Sequence, residues 1–206
     1  DSAYRLVGSE MCIRDRDYNA KIIASQLIEL CKKHEKIIIV SASKGGLETA
    51  VTLGEILNPE DIKAIKAWIS VGGVLRGSPV ADSYLCWPKN WIAAIGLKLM
   101  GQNINVIRDM SYKKRVEDYS QLHFPKNIKM IQFVAAPLST HINKRIKNMY
   151  YFMKKYGPND GITPLADELT EDGVVVTELG LDHHFKHADI DKITIALTLV
   201  ATKIQN

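Results

Sequence analysis

Cysteine is scarce: the 206-residue chain has three. Cys12, Cys31 and Cys86 show neither a disulfide framework nor metal-ligand spacing, and Cys31 falls on the apolar face of a predicted helix. No apolar run approaches the roughly 20 residues of a membrane-spanning helix. Charge of one sign is also lacking. The net charge is +4, and the densest basic stretches, Lys113-Lys114-Arg115 and Lys144 to Lys147, suit solvated helix faces. Nothing interleaves aromatic with basic residues as a nucleic-acid surface does, so no nucleic-acid partner is expected. No Walker pattern, dinucleotide fingerprint, internal repeat or low-complexity tract is present. What remains is a chain with 46% hydrophobic residues, enough for a sizeable core.

Residues 1–16 read as a separate piece. The run Leu6-Val7-Gly8-Ser9-Glu10-Met11-Cys12-Ile13-Arg14-Asp15-Arg16 resembles the in-frame translation of a transposon-based sequencing adapter, and residues 1–5 would continue it. On that reading 1–16 is an artefact to be set aside from the fold. The biological chain then opens near Asp17, in mid-gene, and 17–206 is the C-terminal part of one domain. Compartment and any export signal are left open.

From Asp17 onward, helical and strand periodicities alternate. A helix is expected over Tyr18 to Lys33, with Ile23, Leu27, Leu30 and Cys31 on one face. Lys36 to Val40 is a short β-branched run that suits a buried strand. A helix from Gly46 to Leu57 follows, ended by Asn58-Pro59. Further strands are expected at Ile65 to Val71, Lys129 to Val134 and Val174 to Glu178. Lys144 to Lys155 reads as a helix or part of a longer excursion. A last helix, capped by Asp189 or Asp191, runs through Ile204 with Ile193, Leu197 and Val200 inward. Tyr84 to Phe124 is aromatic-rich and helical in pieces, such as Trp91 to Met100 and Tyr112 to Tyr119. Strands alternating with helices predict an α/β fold: a mostly parallel sheet covered on both faces.

Ser41-Ala42-Ser43-Lys44-Gly45 lies between the first strand and its helix. It matches the small-x-Ser-x-Gly turn that holds a nucleophile at the end of a strand, where the residues two before and two after must be small. Gly46 relaxes the turn further. The Ser43 hydroxyl would point over the C-terminal edge of the sheet, and the Lys44 N–H at the helix start could donate to an oxyanion. The pentapeptide alone equally suits a Ser/Gly-rich turn.

Chain order adds weight. After the third strand, Gly157-Pro158-Asn159-Asp160-Gly161-Ile162-Thr163-Pro164 forms a turn that can present a carboxylate. After the fourth, Gly180-Leu181-Asp182-His183-His184-Phe185 supplies imidazole. Parallel strands deliver both loops to one end of the sheet. A serine needs an imidazole to take its proton, and the imidazole needs a carboxylate to set its tautomer. Ser43, His183 and Asp160 are therefore the expected triad. His184 and His187 are rival bases; Asp167, Asp172 and Asp182 are rival acids.

Asn159 to Pro164 resembles the acid turn of lipases and esterases of the α/β-hydrolase superfamily. Gly73-Val74-Leu75-Arg76-Gly77-Ser78-Pro79-Val80-Ala81-Asp82 resembles their Pro-His-x-Gly-Ser-Pro-x-Ala-Asp segment, with the Pro-His pair replaced. Leu181-Asp182-His183 resembles their Asp-His loop. The elbow departs from the common Gly-His-Ser-x-Gly by carrying Ser41 and Ala42. The resemblance implies a partial α/β-hydrolase fold lacking its N-terminal strands and the second oxyanion donor. It also implies a lid-like insertion at about 84–124, whose Trp87, Trp91, Leu97, Leu99 and Met100 either line an acyl pocket or pack as core.

The expected function is a serine hydrolase of carboxylic esters, small or lipid, that needs no metal or organic cofactor. This stretch alone is expected to be inactive. The alternative is a non-catalytic module on the same fold. Membrane-surface contact, oligomeric state and acyl specificity stay open.

Overall fold

The computed structural model describes residues 16–91, 94–95 and 104–203. Residues 1–15, and Leu97, Leu99 and Met100 of the expected lid, lie outside that set. Four strands form one sheet: β1 (Ile37–Ala42), β2 (Ile65–Val71), β3 (Lys129–Ala136) and β4 (Val174–Leu179). They lie in sequence order, and every neighbouring pair is parallel. Parallel neighbours need crossovers, which the helices supply. Among the described residues the helices are α1 (Arg16–Lys33), α2 (Lys44–Val51), α3 (Pro79–Leu85), α4 (Asn105–Asp109), α5 (Tyr112–Ser120), α6 (Lys147–Met153) and α7 (Ile190–Lys203), of which α2 to α6 lie in the crossovers. The expected helix from Gly46 to Leu57 starts two residues earlier. Its second half, Thr52–Ile56, widens into a π-turn. There Thr52 Oγ1 donates to the Ala20 carbonyl at 3.1 Å and so pins α2 to α1.

Strand alternation divides the core into two layers. Trp68 of β2 packs with Ile23 and Leu27 of α1, Ala50 of α2, and Leu53 and Leu57 beyond it. Its neighbours Ala67 and Ile69 face the other way, onto Ile131 and Phe133 of β3 and onto Leu197 and Ala201 of α7. Ile193 and Val200 pack against that second layer as partly buried residues. Helices thus cover both faces of the sheet.

The first strand is less buried than its apolar run alone suggests. Of its apolar run only Ile39 is buried, while Val40 is 56% exposed. The reason is position: β1 forms the sheet edge and pairs with β2 alone among the described residues. Its outer rim presents backbone N–H and C=O groups without ladder partners, a template for pairing with another strand. Residues 17–206 expressed on their own are therefore expected to self-associate through β1. Val40→Lys should reduce that association, since an edge charge opposes pairing. Size exclusion and light scattering check this, and a monomeric, cooperatively melting product with Val40 in place would contradict it.

Candidate active site

The chain leaves β1 and enters α2 within a single residue, Ser43. Its backbone sits at φ 52°, ψ −123°. Positive φ is strained for a residue with a Cβ, at about 1–3 kcal/mol, and persists only where the surroundings impose it. Here the Ser43 N–H donates to the Val71 carbonyl at 3.0 Å, and its own carbonyl accepts from Gly46 and Val74 N–H at 2.9 and 3.2 Å. The turn is thereby tied to the end of β2. A Cβ on Gly46 would stand 2.8 Å from the Gly73 Cα. Gly46 does more than relax the turn: it is a point of close approach between the helix start and the end of β2.

The half-buried Ser43 holds its Oγ 2.9 Å from His183 Nε2. On the far side of the ring, His183 Nδ1 pairs with Asp160 Oδ2. Asp160 is fully buried, and its Oδ1 accepts from the Ile162 and Thr163 N–H groups at 2.8 and 2.7 Å. Those two amides come from the turn that Gly161 (φ 104°) allows. The two loops are also joined directly, since the His183 N–H donates to the Asp160 carbonyl at 2.9 Å. A fixed carboxylate on Nδ1 leaves the neutral ring's Nε2 as the acceptor toward the serine hydroxyl.

The rivals lie elsewhere. His184 and His187 are exposed. Asp182 is buried but takes the Asn143 N–H at 2.6 Å and the His184 N–H at 3.0 Å, so it shapes the histidine loop. Asp167, half-buried, has a carboxyl raised above its usual range by burial, eased by the Arg76 charge. Asp172 lines a cleft of about 870 Å³ beside Lys129 and Met130, at the opposite end of β3. Trp87 and Trp91 line a second cleft, of about 440 Å³, with Leu85, Ile104 and Arg108. Neither cleft is lined by Ser43, His183 or Asp160. The two indoles are 84% and 67% exposed, so they do not pack as core.

Two solved structures share this fold. A Bacillus licheniformis lipase in its mature form superimposes with a TM-score of 0.71 at 18% identity, over 91% of this chain and 75% of the lipase. A metagenomic carboxyl esterase gives 0.68 at 20% identity, over 82% of this chain and 51% of the esterase. The chain thus spans about half the length of that esterase. The fold is that of the α/β-hydrolases. No protein-family model matches the sequence, and no curated protein matches it.

The α/β-hydrolase frame explains the departures noted in the sequence. Ser41 stands where Gly is common, and its hydroxyl accepts the buried Trp68 indole N–H at 2.8 Å, a donor that would otherwise need another partner. The segment from Gly73 to Asp82 ties the acid turn in place. Ser78 caps α3, accepting from the Val80 N–H at 3.1 Å, and its Oγ donates to the Ile162 carbonyl. Arg76 donates to the Leu169 carbonyl at 2.6 Å and lies over the Tyr119 ring. Asp82 accepts from Ser111 Oγ at 2.6 Å and anchors the start of α5.

Sequence reading assigned Lys44 only a peptide N–H. Its ammonium is in fact folded inward onto Glu48 Oε1, and Glu48 also accepts from Asn19 Nδ2 at 2.7 Å. Glu48 is fully buried, and burial lifts its carboxyl above the usual range against the opposing pull of Lys44. The i,i+4 spacing of Lys44 and Glu48 was the available signal. Removing one partner of such a pair costs about 3–5 kcal/mol, whereas replacing both is far milder. Lys44→Met is therefore expected to lower the melting temperature sharply, and Lys44→Met with Glu48→Leu to recover most of the loss. Thermal melts of the two variants check this; a Lys44→Met protein as stable as its parent would contradict it.

Proposed function

We propose that this chain carries the catalytic serine, histidine and aspartate of a carboxylic ester hydrolase. The observation that supports this reading is the continuous relay from Ser43 Oγ through His183 to the buried Asp160. Ser43 Oγ attacks the ester carbonyl carbon while His183 Nε2 takes the hydroxyl proton. Asp160 stays ionised, held by two backbone N–H groups, and stabilises the imidazolium. The oxyanion forms beside the Lys44 N–H at the start of α2. As the tetrahedral intermediate collapses, the C–O bond to the alcohol breaks and His183 returns its proton to the leaving oxygen. Water then attacks the acyl-serine, His183 again takes and returns a proton, and the acid departs.

The substrate class is a carboxylic ester, small or lipid. The esterase and lipase named above share the fold, which makes ester hydrolysis the natural chemistry for this relay. In the full-length protein, Ser43→Ala or His183→Ala is expected to lower turnover of a short-chain p-nitrophenyl ester by roughly 10⁴-fold or more. The double variant should add little, because the residues act as one unit. Additive losses, or full activity in Ser43→Ala, would contradict the mechanism; binding of ester without turnover in the unaltered protein would favour a non-catalytic module.

A further inference from the structure

We propose that α6 and the 3-10 turn that continues it, Lys154–Tyr156, dock this protein on an anionic lipid surface. The proposal stands on the shape and charge of that segment and does not depend on the catalytic reading. Helix α6 turns its aromatic block outward. Its buried anchors are Ile146, at its head, and Met153, at its end. Ile146 packs on the acid turn, where its Cδ1 lies 2.7 Å from the place of a Cβ on Gly161. Tyr151, Phe152 and Tyr156 are instead 47%, 36% and 44% exposed. Aromatic rings gain more from burial than other side chains, so a cluster of them left in water marks a surface that binds something. The rings are contiguous in pairs: Tyr150 and Tyr151 lie 5.5 Å apart between centroids, and Phe152 and Tyr156 lie 6.1 Å apart.

Charge says what covers the patch. From Pro137 to Asn159 the sequence carries Lys144, Arg145, Lys147, Lys154 and Lys155 and neither Asp nor Glu. All five basic side chains are exposed. The last two are drawn onto the rings: Lys154 Nζ lies 4.7 Å from the Tyr151 centroid and 5.4 Å from that of Tyr150. Lys155 Nζ lies 4.4 Å from the Phe152 centroid and 4.9 Å from that of Tyr156. Such lysines lay their stems on apolar surface and keep their heads in water. Rings at the acyl boundary and ammonium groups at the level of the phosphates are what an anionic lipid surface requires. Single-stranded nucleic acid needs open ring faces for stacking, and here the lysines occupy them. Contact is with the surface only, since no helix among the described residues is long and apolar enough to cross a membrane. The 3-10 turn runs straight into Gly157 and the acid turn, so the lipid would lie beside the loop that carries Asp160.

The experiment sediments the full-length protein with vesicles of phosphatidylcholine alone, or of phosphatidylcholine and phosphatidylglycerol in equal parts. The protein should pellet with the mixed vesicles and not with phosphatidylcholine alone, and raised salt should release it. Lys154→Gln with Lys155→Gln should weaken binding by about 30-fold, at roughly fivefold for each lysine. Phe152→Ala should weaken it by about 10-fold through lost apolar contact. Lys32→Gln with Lys33→Gln, which removes the same charge at the end of α1, should bind as the parent does. Ser43→Ala should also bind as the parent does, so a failed triad and a failed docking surface are distinguishable. Thermal melts check folding, and if Phe152→Ala does not fold, the two lysine pairs decide the matter. No pelleting with mixed vesicles, or equal pelleting with phosphatidylcholine alone, would overturn the proposal. So would full binding after loss of Lys154 and Lys155, or an equal drop after loss of Lys32 and Lys33. A dimer that Phe152→Ala dissolves, in a protein that ignores vesicles, would overturn it in favour of a protein interface.

Discussion

The structure around the site depends on one backbone constraint: a serine forced into positive φ between a parallel strand and a helix. A chain can reverse from β1 into α2 over one residue only if the helix start comes almost into contact with the next strand's end. The contact falls between Gly46 and Gly73, with 2.8 Å between a hypothetical Cβ and the Gly73 Cα. Any side chain on Gly46 would push the helix away, and Ser43 would lose its N–H bond to Val71. The strain at Ser43 is offset by three backbone hydrogen bonds and by burial of the whole of α2 except Gly45. The same geometry raises the hydroxyl above the sheet's end, where His183 meets it.

The other two members arrive there because parallel strands deliver their following loops to the same edge. The loops are then locked to one another. Asp160 and His183 share a backbone bond as well as a side-chain bond, and Ser78 reaches from α3 to Ile162 of the acid turn. Phe185, also at positive φ, lays its ring on Phe133 and over Gly72, whose missing Cβ leaves space for it and for the His183 ring. The imidazole is thus bounded by packing on one side and by a carboxylate on the other. Such support from neighbouring groups is what keeps a site within hydrogen-bonding range.

Much of this was legible in the sequence. All four strands and their parallel arrangement followed from β-branched runs alternating with helical periodicity, and the site loops followed from strand order. What was not legible has physical causes. A run such as Ile37 to Val40 reads the same whether a strand is central or at the edge, because exposure depends on neighbours that lie far away in sequence. The partners of Ser41 and Ser78 were hidden because each pairs across a tertiary contact: Ser41 with Trp68, Ser78 with Ile162. Whether Trp87 and Trp91 line a pocket or pack as core was left open, because aromatic content does not fix which way a segment faces.

The central claim is that Ser43 is an activated nucleophile and not simply a residue caught in a tight turn. A fluorophosphonate probe tests this most directly, because it reacts covalently only with a serine whose proton is being drawn off. Full-length protein treated with the probe and mapped by peptide mass spectrometry is expected to carry one phosphonyl adduct, on the peptide containing Ser43, and to carry none after His183→Ala. An unlabelled protein, or an adduct on another serine, would contradict the account.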